Sequence, residues 1–272
     1  MGNASPDLAL EPASTGYGRA GRNGIRSWIL SHLSRETSSG RFIPEMDGLR
    51  FAAIAMVFAF HLNGYLSAKS PSYYSFPQTG LLAQAASVGF RGVELFFVIS
   101  GFILALPFAG HHVKGAPPVR LRKYYLRRLT RLEPPYMGAV LLLFVLAIFV
   151  QGKHALPPLP HFWASMLYAH NLIYGRFSPI IAVAWSLEIE VQFYLLVPLL
   201  TCIFAIANRR LRRAVLLSLL MGILILQSLF LHGSPRAALS ILAYLQFFLV
   251  GFLLADMFLA DWNEAPARNF YW

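Results

Sequence analysis

The stretch "DGLRFAAIAMVFAFHLNGY" (residues 47–65) decides the fold. From Phe51 to Phe60 it is wholly apolar, yet it is entered by Asp47 and Arg50 and closed by His61. A helix of about 20 apolar residues crosses a bilayer, and this stretch is the first of six that approach that length. They fall at 48–67, 87–108, 134–151, 181–206, 214–231 and 239–259. The third, "PPYMGAVLLLFVLAIFVQ", carries no charge from its two prolines to Val150. "HFWASMLYAHNLIYG" (161–175) is too short and polar to span and is expected to lie at the interface or to re-enter.

Composition agrees. The 272 residues are 57% hydrophobic and 13% charged, whereas about a quarter of a soluble domain is charged. Mean hydropathy is +0.54. A net charge of +11 would suit nucleic acid, but Lys and Arg collect in alternate connections beside the apolar segments. Arg19, Arg22, Arg26, Arg35 and Arg41 precede the first segment, and the run from Lys114 to Arg131 precedes the third. Arg209, Arg210, Arg212 and Arg213 precede the fifth, while the intervening connections hold one or two cations each. That alternation is the positive-inside pattern. It predicts a cytoplasmic N-terminus, a membrane partner and no nucleic-acid partner. The expected fold is an all-α, polytopic membrane helix bundle of about six transmembrane helices, with a basic interfacial helix on the cytoplasmic side. Residues 1–43, rich in Gly, Ser, Arg and Ala, read as a disordered cytoplasmic tail. Residues 44–260 form the membrane domain and 261–272 a short cytoplasmic tail.

Three carboxylates, Glu94, Glu188 and Glu190, fall inside predicted spans. Each would cost about 2.5–3.5 kcal/mol facing lipid near a helix centre, so each needs a partner, a proton or an aqueous cavity. Measured along the chain, all three lie in the same outer layer as His61, to within roughly one helical turn. Glu188 and Glu190 point about 200° apart, so only one can face His61. Arg50 and His61 differ by about 20° in direction and about 16 Å in rise. Arginine and histidine therefore share one face at two depths, and Asp47 lies one turn before Arg50. Inter-helix polar contacts of purely structural kind explain the same pattern.

Wound as a helix, "RLRKYYLRRLTRLEPPY" (120–136) gathers Arg120, Lys123, Arg127 and Arg131 on one side and Leu121, Tyr125, Leu129 and Leu132 on another. Two readings fit: an anchor on anionic lipid, or a site where Arg grips phosphate oxygens. Cys202 is the only cysteine, so no disulfide or Cys-based metal site forms within the chain. His111 and His112 are read as adjacent in a loop, and His154, His161 and His170 as scattered, so no metal-ligand spacing emerges. Ser100 and Gly101 in "FFVISGFIL" suit a hydrogen bond and close packing between helices.

Four stretches taken together resemble integral membrane acyltransferase family 3. They are "MDGLRFAAIAMVFAFH" with its Arg-x10-His spacing, "GFRGVELFFVISGFIL", "YYLRRLTRLEPPY" with Arg128 and Arg131 in Arg-x-x-Arg, and "WSLEIEVQFYLLVPLL". They follow in order across residues 46–200. The resemblance implies an enzyme of the bacterial cytoplasmic membrane that moves an acyl group, commonly acetyl from acetyl-CoA, to a hydroxyl of a cell-surface glycan. Acyl-CoA enters as donor substrate, and no permanently bound cofactor or metal is expected. The resemblance implies that His61 is catalytic with Glu190 or Glu94, and that Arg50, Arg128 and Arg131 bind the donor. Asp47, Trp185 and Ser100 support them. Glu94 stands where many members have Asp, and Val191 where many have a second Glu. Glu190 is preferred to Glu188, whose position varies more in the family. Members have about ten membrane helices, so six point to a truncated chain, a minimal form, or helices supplied by a partner protein.

The expected mechanism docks the donor's phosphates at the cytoplasmic arginines and extends its arm beside the first span. His61 then acts as general base or carries the acyl group; an imidazole suits either role. The alternatives are a transporter or exporter of a polar substrate, which suits buried acids and a histidine, and an inactive truncated assembly partner.

Overall fold

The computed structural model describes residues 44–69, 80–151, 159–231 and 233–262. The expected tail 1–43, His154 and most of the expected tail 261–272 lie outside the described residues. Helix α1 (Pro44–Lys69) has Glu45 and Asp47 in its first turn and Lys69 in its last, complementing the helix dipole. After α2 (Leu81–Ser87) comes α3 (Arg91–Lys114), which Gly115 ends in the left-handed conformation (φ 68°). α4 (Leu121–Gln151) is the longest helix. Two short helices, α5 (Leu159–Met166) and α6 (His170–Tyr174), lead into α7 (Trp185–Leu200). α8 (Arg209–Phe230) begins at Asn208, whose side chain accepts the amides of Arg210 and Leu211. A single turn, α9 (Pro235–Ala238), precedes α10 (Leu245–Asp261). The described residues hold no strand; the fold is an all-α membrane helix bundle.

Among the described residues, five stretches are long and apolar enough to cross a bilayer: Glu45–Lys69, Arg91–Lys114, Leu121–Phe149, Ala182–Ala205 and Arg209–Leu229. They coincide with the first five predicted spans. The sixth differs. Its helix is interrupted after Ala238, and α10 keeps 17 residues, or about 26 Å at 1.5 Å per residue. At the break, Gln192 on α7 accepts the amide of Ile241, and Ser240 accepts that of Leu242. Those bonds hold residues 241–243 in a 3-10 turn.

The basic stretch also departs from expectation. It is the first part of α4 and continuous with the third span, where a separate interfacial helix was expected. Pro134 and Pro135 sit inside α4 and remove two amide donors without ending it. His111 and His112, expected in a loop, belong to the last turn of α3, and His111 Nδ1 bonds the Ala116 carbonyl at 2.6 Å.

α3 and α10 form the centre. A Cβ added at Gly101 would overlap the backbone of Phe248, and one at Gly251 that of Val98, so two glycines let the helices meet backbone to backbone. Around this crossing Phe193 stacks on Phe248 at 3.8 Å, Phe97 on Phe248 at 4.7 Å and Phe204 on Phe252 at 5.6 Å. The stack locks α7 onto the α3–α10 pair. α1 attaches at one edge, where Ala53, Met56, Val57 and Phe60 close on Gly89 and Gly92. α8 is tied to α10 by buried charge: Arg212 Nε donates to Asp256 at 2.5 Å, and Arg213 donates to Asp256 and Asp261 at 2.7 Å each. With Arg209 donating to Asp261 at 2.6 Å, three members of the Arg209–Arg213 cluster, read above only as a topology signal, are therefore helix-to-helix ties.

Candidate active site

Glu190 and Tyr194 are four apart on α7, and Tyr124 and Arg128 are four apart on α4, so each pair shares a helix face. Those faces meet α3 at Ser100. Ser100 Oγ donates to Glu190 Oε1 at 2.9 Å, and Tyr194 OH donates to the same oxygen at 2.6 Å. Tyr124 OH donates to the Tyr194 carbonyl at 3.2 Å. The Arg128 guanidinium lies over the rings of Tyr194 and Tyr124, 5.8 and 6.0 Å from their centroids. Arg128 Nε is buried and has no hydrogen-bond partner among the described residues. One contact chain thus links three of the residues singled out in the sequence, Arg128, Glu190 and Ser100.

Both donors reach Glu190 through Oε1. Oε2 receives no hydrogen bond among the described residues, so it is the oxygen left to act on another group. Tyr124 and Tyr194 were not singled out from the sequence. Their i,i+4 spacing to Arg128 and Glu190 was the available signal.

Glu188 serves a different neighbour. It is 2% exposed, and its Oε2 accepts the Asn171 amide at 2.8 Å, with the His170 backbone also close to its carboxylate. α6 starts after Ala169, which has no capping side chain. Glu188 supplies the missing acceptor from α7. The two acids thus face different elements, as their 200° separation required.

His61 stands apart from this chain. It lies exposed on α1 beside the seam with α3, its ring edge-on to Phe60 at 5.5 Å. No hydrogen bond joins it to Glu94 or Glu190 among the described residues. On the same flank Arg50 donates to Asp47 at 3.1 Å. Glu94 lies near enough to Tyr244 to act on it electrostatically. Tyr244 in turn packs against Trp185 at 5.3 Å and Phe97 at 5.4 Å. Arg131 is exposed.

The histidines read as scattered include a pair: His161 Nδ1 lies 2.8 Å from His170 Nε2, with Arg176 completing the cluster. Nothing in sequence spacing announced it, because Tyr168 makes the turn with φ 53°, a conformation rare outside glycine. No group of three or more metal-ligating side chains occurs among the described residues.

A helix bundle long and apolar enough to span a membrane, with buried acids and an arginine held over two tyrosine rings, defines the class, and comparison supplies the family. A family model described as an acyltransferase domain matches residues 43–262. The chain belongs to this acyltransferase family, integral membrane acyltransferase family 3. It is similar to peptidoglycan O-acetyltransferase OatA of Listeria monocytogenes, 29% identical over 61% of this chain and 25% of that protein. It is also similar to O-acetyltransferase OatA of Staphylococcus aureus, 28% identical over 59% of this chain and 25% of that protein. The chain spans about a quarter of the length of these curated relatives. No solved structure matches it.

Proposed function

We propose that this chain is an O-acetyltransferase of the bacterial cytoplasmic membrane, N-terminus in the cytoplasm, moving acetyl from acetyl-CoA to a hydroxyl of a cell-wall glycan. The observation that carries the reading is the bonding of Glu190: a carboxylate inside a bundle, pinned through one oxygen, with its other oxygen unengaged and an arginine two contacts away. The relatives' names supply the acetyl group, and the name of the Listeria protein supplies peptidoglycan as the acceptor class. On this reading the acyltransferase domain includes residues 44–260.

Arg128 and Arg131, with Arg50 held by Asp47, take the donor's phosphates through charge-assisted hydrogen bonds. His61 accepts the proton of the acceptor hydroxyl while that oxygen bonds to the thioester carbonyl carbon. The C–S bond breaks, and the leaving thiolate takes the proton from the imidazolium. Glu190 Oε2, or Glu94, stabilises the imidazolium charge as it forms, and Trp185 walls the site. Membranes containing the chain, given acetyl-CoA labelled in the acetyl group, test this. Label reaching glycan hydroxyls only when the chain is present is the expected result. Glycan labelled equally without the chain contradicts it.

A further inference from the structure

The α5–α6 hairpin contains a closed ring of hydrogen bonds that the proposed chemistry does not use. His161 Nδ1 lies 2.8 Å from His170 Nε2. His170 Nδ1 lies 3.1 Å from the Arg176 carbonyl, and the Arg176 guanidinium lies 3.3 Å from His161 Nε2. His161 is 7% exposed and His170 fully buried, with Tyr174 packed on both rings at 4.1 and 4.8 Å.

The partners fix the protons. A carbonyl only accepts, so His170 Nδ1 carries hydrogen. For a neutral ring, His170 Nε2 then accepts, and His161 Nδ1 must donate to it. A guanidinium only donates, so His161 Nε2 is bare. This assignment satisfies all three bonds with both imidazoles neutral. It occupies every ring nitrogen and leaves none for a metal or a substrate.

The same closure makes the ring intolerant of acid. A proton on His161 Nε2 would face the Arg176 guanidinium, and one on His170 Nε2 would face the N–H of His161. Burial pushes the pKa of His161 below its usual value, and Arg176 lowers it further. Burial likewise lowers that of His170; the bond to the Arg176 carbonyl partly offsets this, and His161 and Arg176 add to the lowering.

Among the described residues, neighbouring elements bring no acid into hydrogen-bond contact with either ring. From α7, Glu188 directs its carboxylate at the backbone amides of His170 and Asn171. From α4, Tyr136 donates its hydroxyl to the Ser165 carbonyl, and Glu133 acts on Tyr168. From α9, Arg236 adds a second cation, its Nε on the Ile173 carbonyl. Tyr168 and Tyr174, within the hairpin, are neutral phenols.

We propose that the His161–His170–Arg176 ring is an acid-opened latch, holding the α5–α6 hairpin closed while both histidines are neutral and releasing it when either is protonated. When open, each histidine titrates near 6.5; when closed, it titrates lower. The latch therefore contributes fully above pH 6.5 and loses its hold as pH falls from 6.5 towards the depressed values. The hairpin amides hold Glu188, two residues before Glu190, so opening loosens the start of α7. Resting on the proposed function, acid should then slow acyl transfer reversibly.

Amide hydrogen exchange of the full chain in lipid nanodiscs tests the latch, comparing residues 161–176 with α10 at pH 7.5 and 5 after correction for intrinsic rates. The expected result is a selective loss of hairpin protection of at least about tenfold, absent from a His161→Asn/His170→Asn variant. Hairpin and α10 responding alike, or the same loss in the variant, would overturn the proposal. If the variant does not fold, ring 15N shifts of the wild-type histidines decide. Both rings should be neutral at pH 7.5 and protonate as the hairpin opens; protonated rings with protection intact would overturn the latch. Acid inhibition of transfer without hairpin opening refutes the latch alone, whereas opening in a chain that never transfers acetyl refutes the proposed function alone.

Discussion

The α3–α7–α10 core and helix α1 solve the membrane problem in opposite ways. Half of the apolar stretch of α3 is buried inside the protein, against 6% of that of α1. The core can therefore hold polar groups by giving each a partner: Glu190 has Ser100 and Tyr194, and Asp256 has Arg212 and Arg213. α1 touches the bundle along one narrow seam, turns Phe51, Ile54 and Phe58 outward, and carries Arg50 and His61 beside that seam. The difference separates two jobs. The core fixes a carboxylate in place, while α1 presents the proposed base, His61, exposed and with no hydrogen bond to Glu94 or Glu190 among the described residues.

Substitutions on the two sides test that contrast. The largest effect on stability belongs to the core's buried charge. Asp256→Ala strands the buried Arg212 and should destabilise the bundle by about 3–5 kcal/mol; thermal unfolding in detergent measures it. An unchanged melting temperature would mean that the α8–α10 tie is ornamental. Next comes the glycine crossing. Gly101→Ala drives a methyl into the Phe248 backbone and should cost about 1–3 kcal/mol by the same measurement. Smaller again is Tyr194→Phe, which keeps the ring under Arg128 and deletes one hydrogen bond to Glu190. It should lower turnover several-fold, for the loss of one of two hydrogen bonds to Oε1 worth about 0.5–1.5 kcal/mol, with donor KM unchanged. A rise in donor KM with turnover intact would place Tyr194 in donor binding. On the α1 side, His61→Ala should leave the melting temperature where it was.

Much of this contrast was legible in the sequence, because a bilayer demands long apolar runs and five of the six named themselves. The separation of Glu188 from Glu190 also followed from helical geometry. What escaped depends on contacts between distant residues. At the break before α10, Gln192 reaches the Ile241 amide, a contact that no local signal in "SPRAALSILAYL" conveys. The continuity of the basic stretch with the third span overrode Pro134 and Pro135, whose usual effect is to end or kink a helix. His161 and His170 sit on separate short helices joined through a turn in which Tyr168 is left-handed, so their contact is not a matter of helical spacing. The apolar run therefore foretold the bundle, but the partners of its buried polar groups had to be seen.

The central claim is that the carboxylate of the core and the histidine of α1 act in one step. A double-mutant cycle on labelled acetyl transfer tests it most directly, using His61→Ala, Glu190→Gln and the pair in the same membranes. His61→Ala should lower the rate about 10²–10⁴-fold, and the double variant should be little worse than the more damaged single variant, because groups acting as a unit are not additive. Losses that multiply as independent effects would contradict the claim and leave Glu190 a structural contact of the bundle.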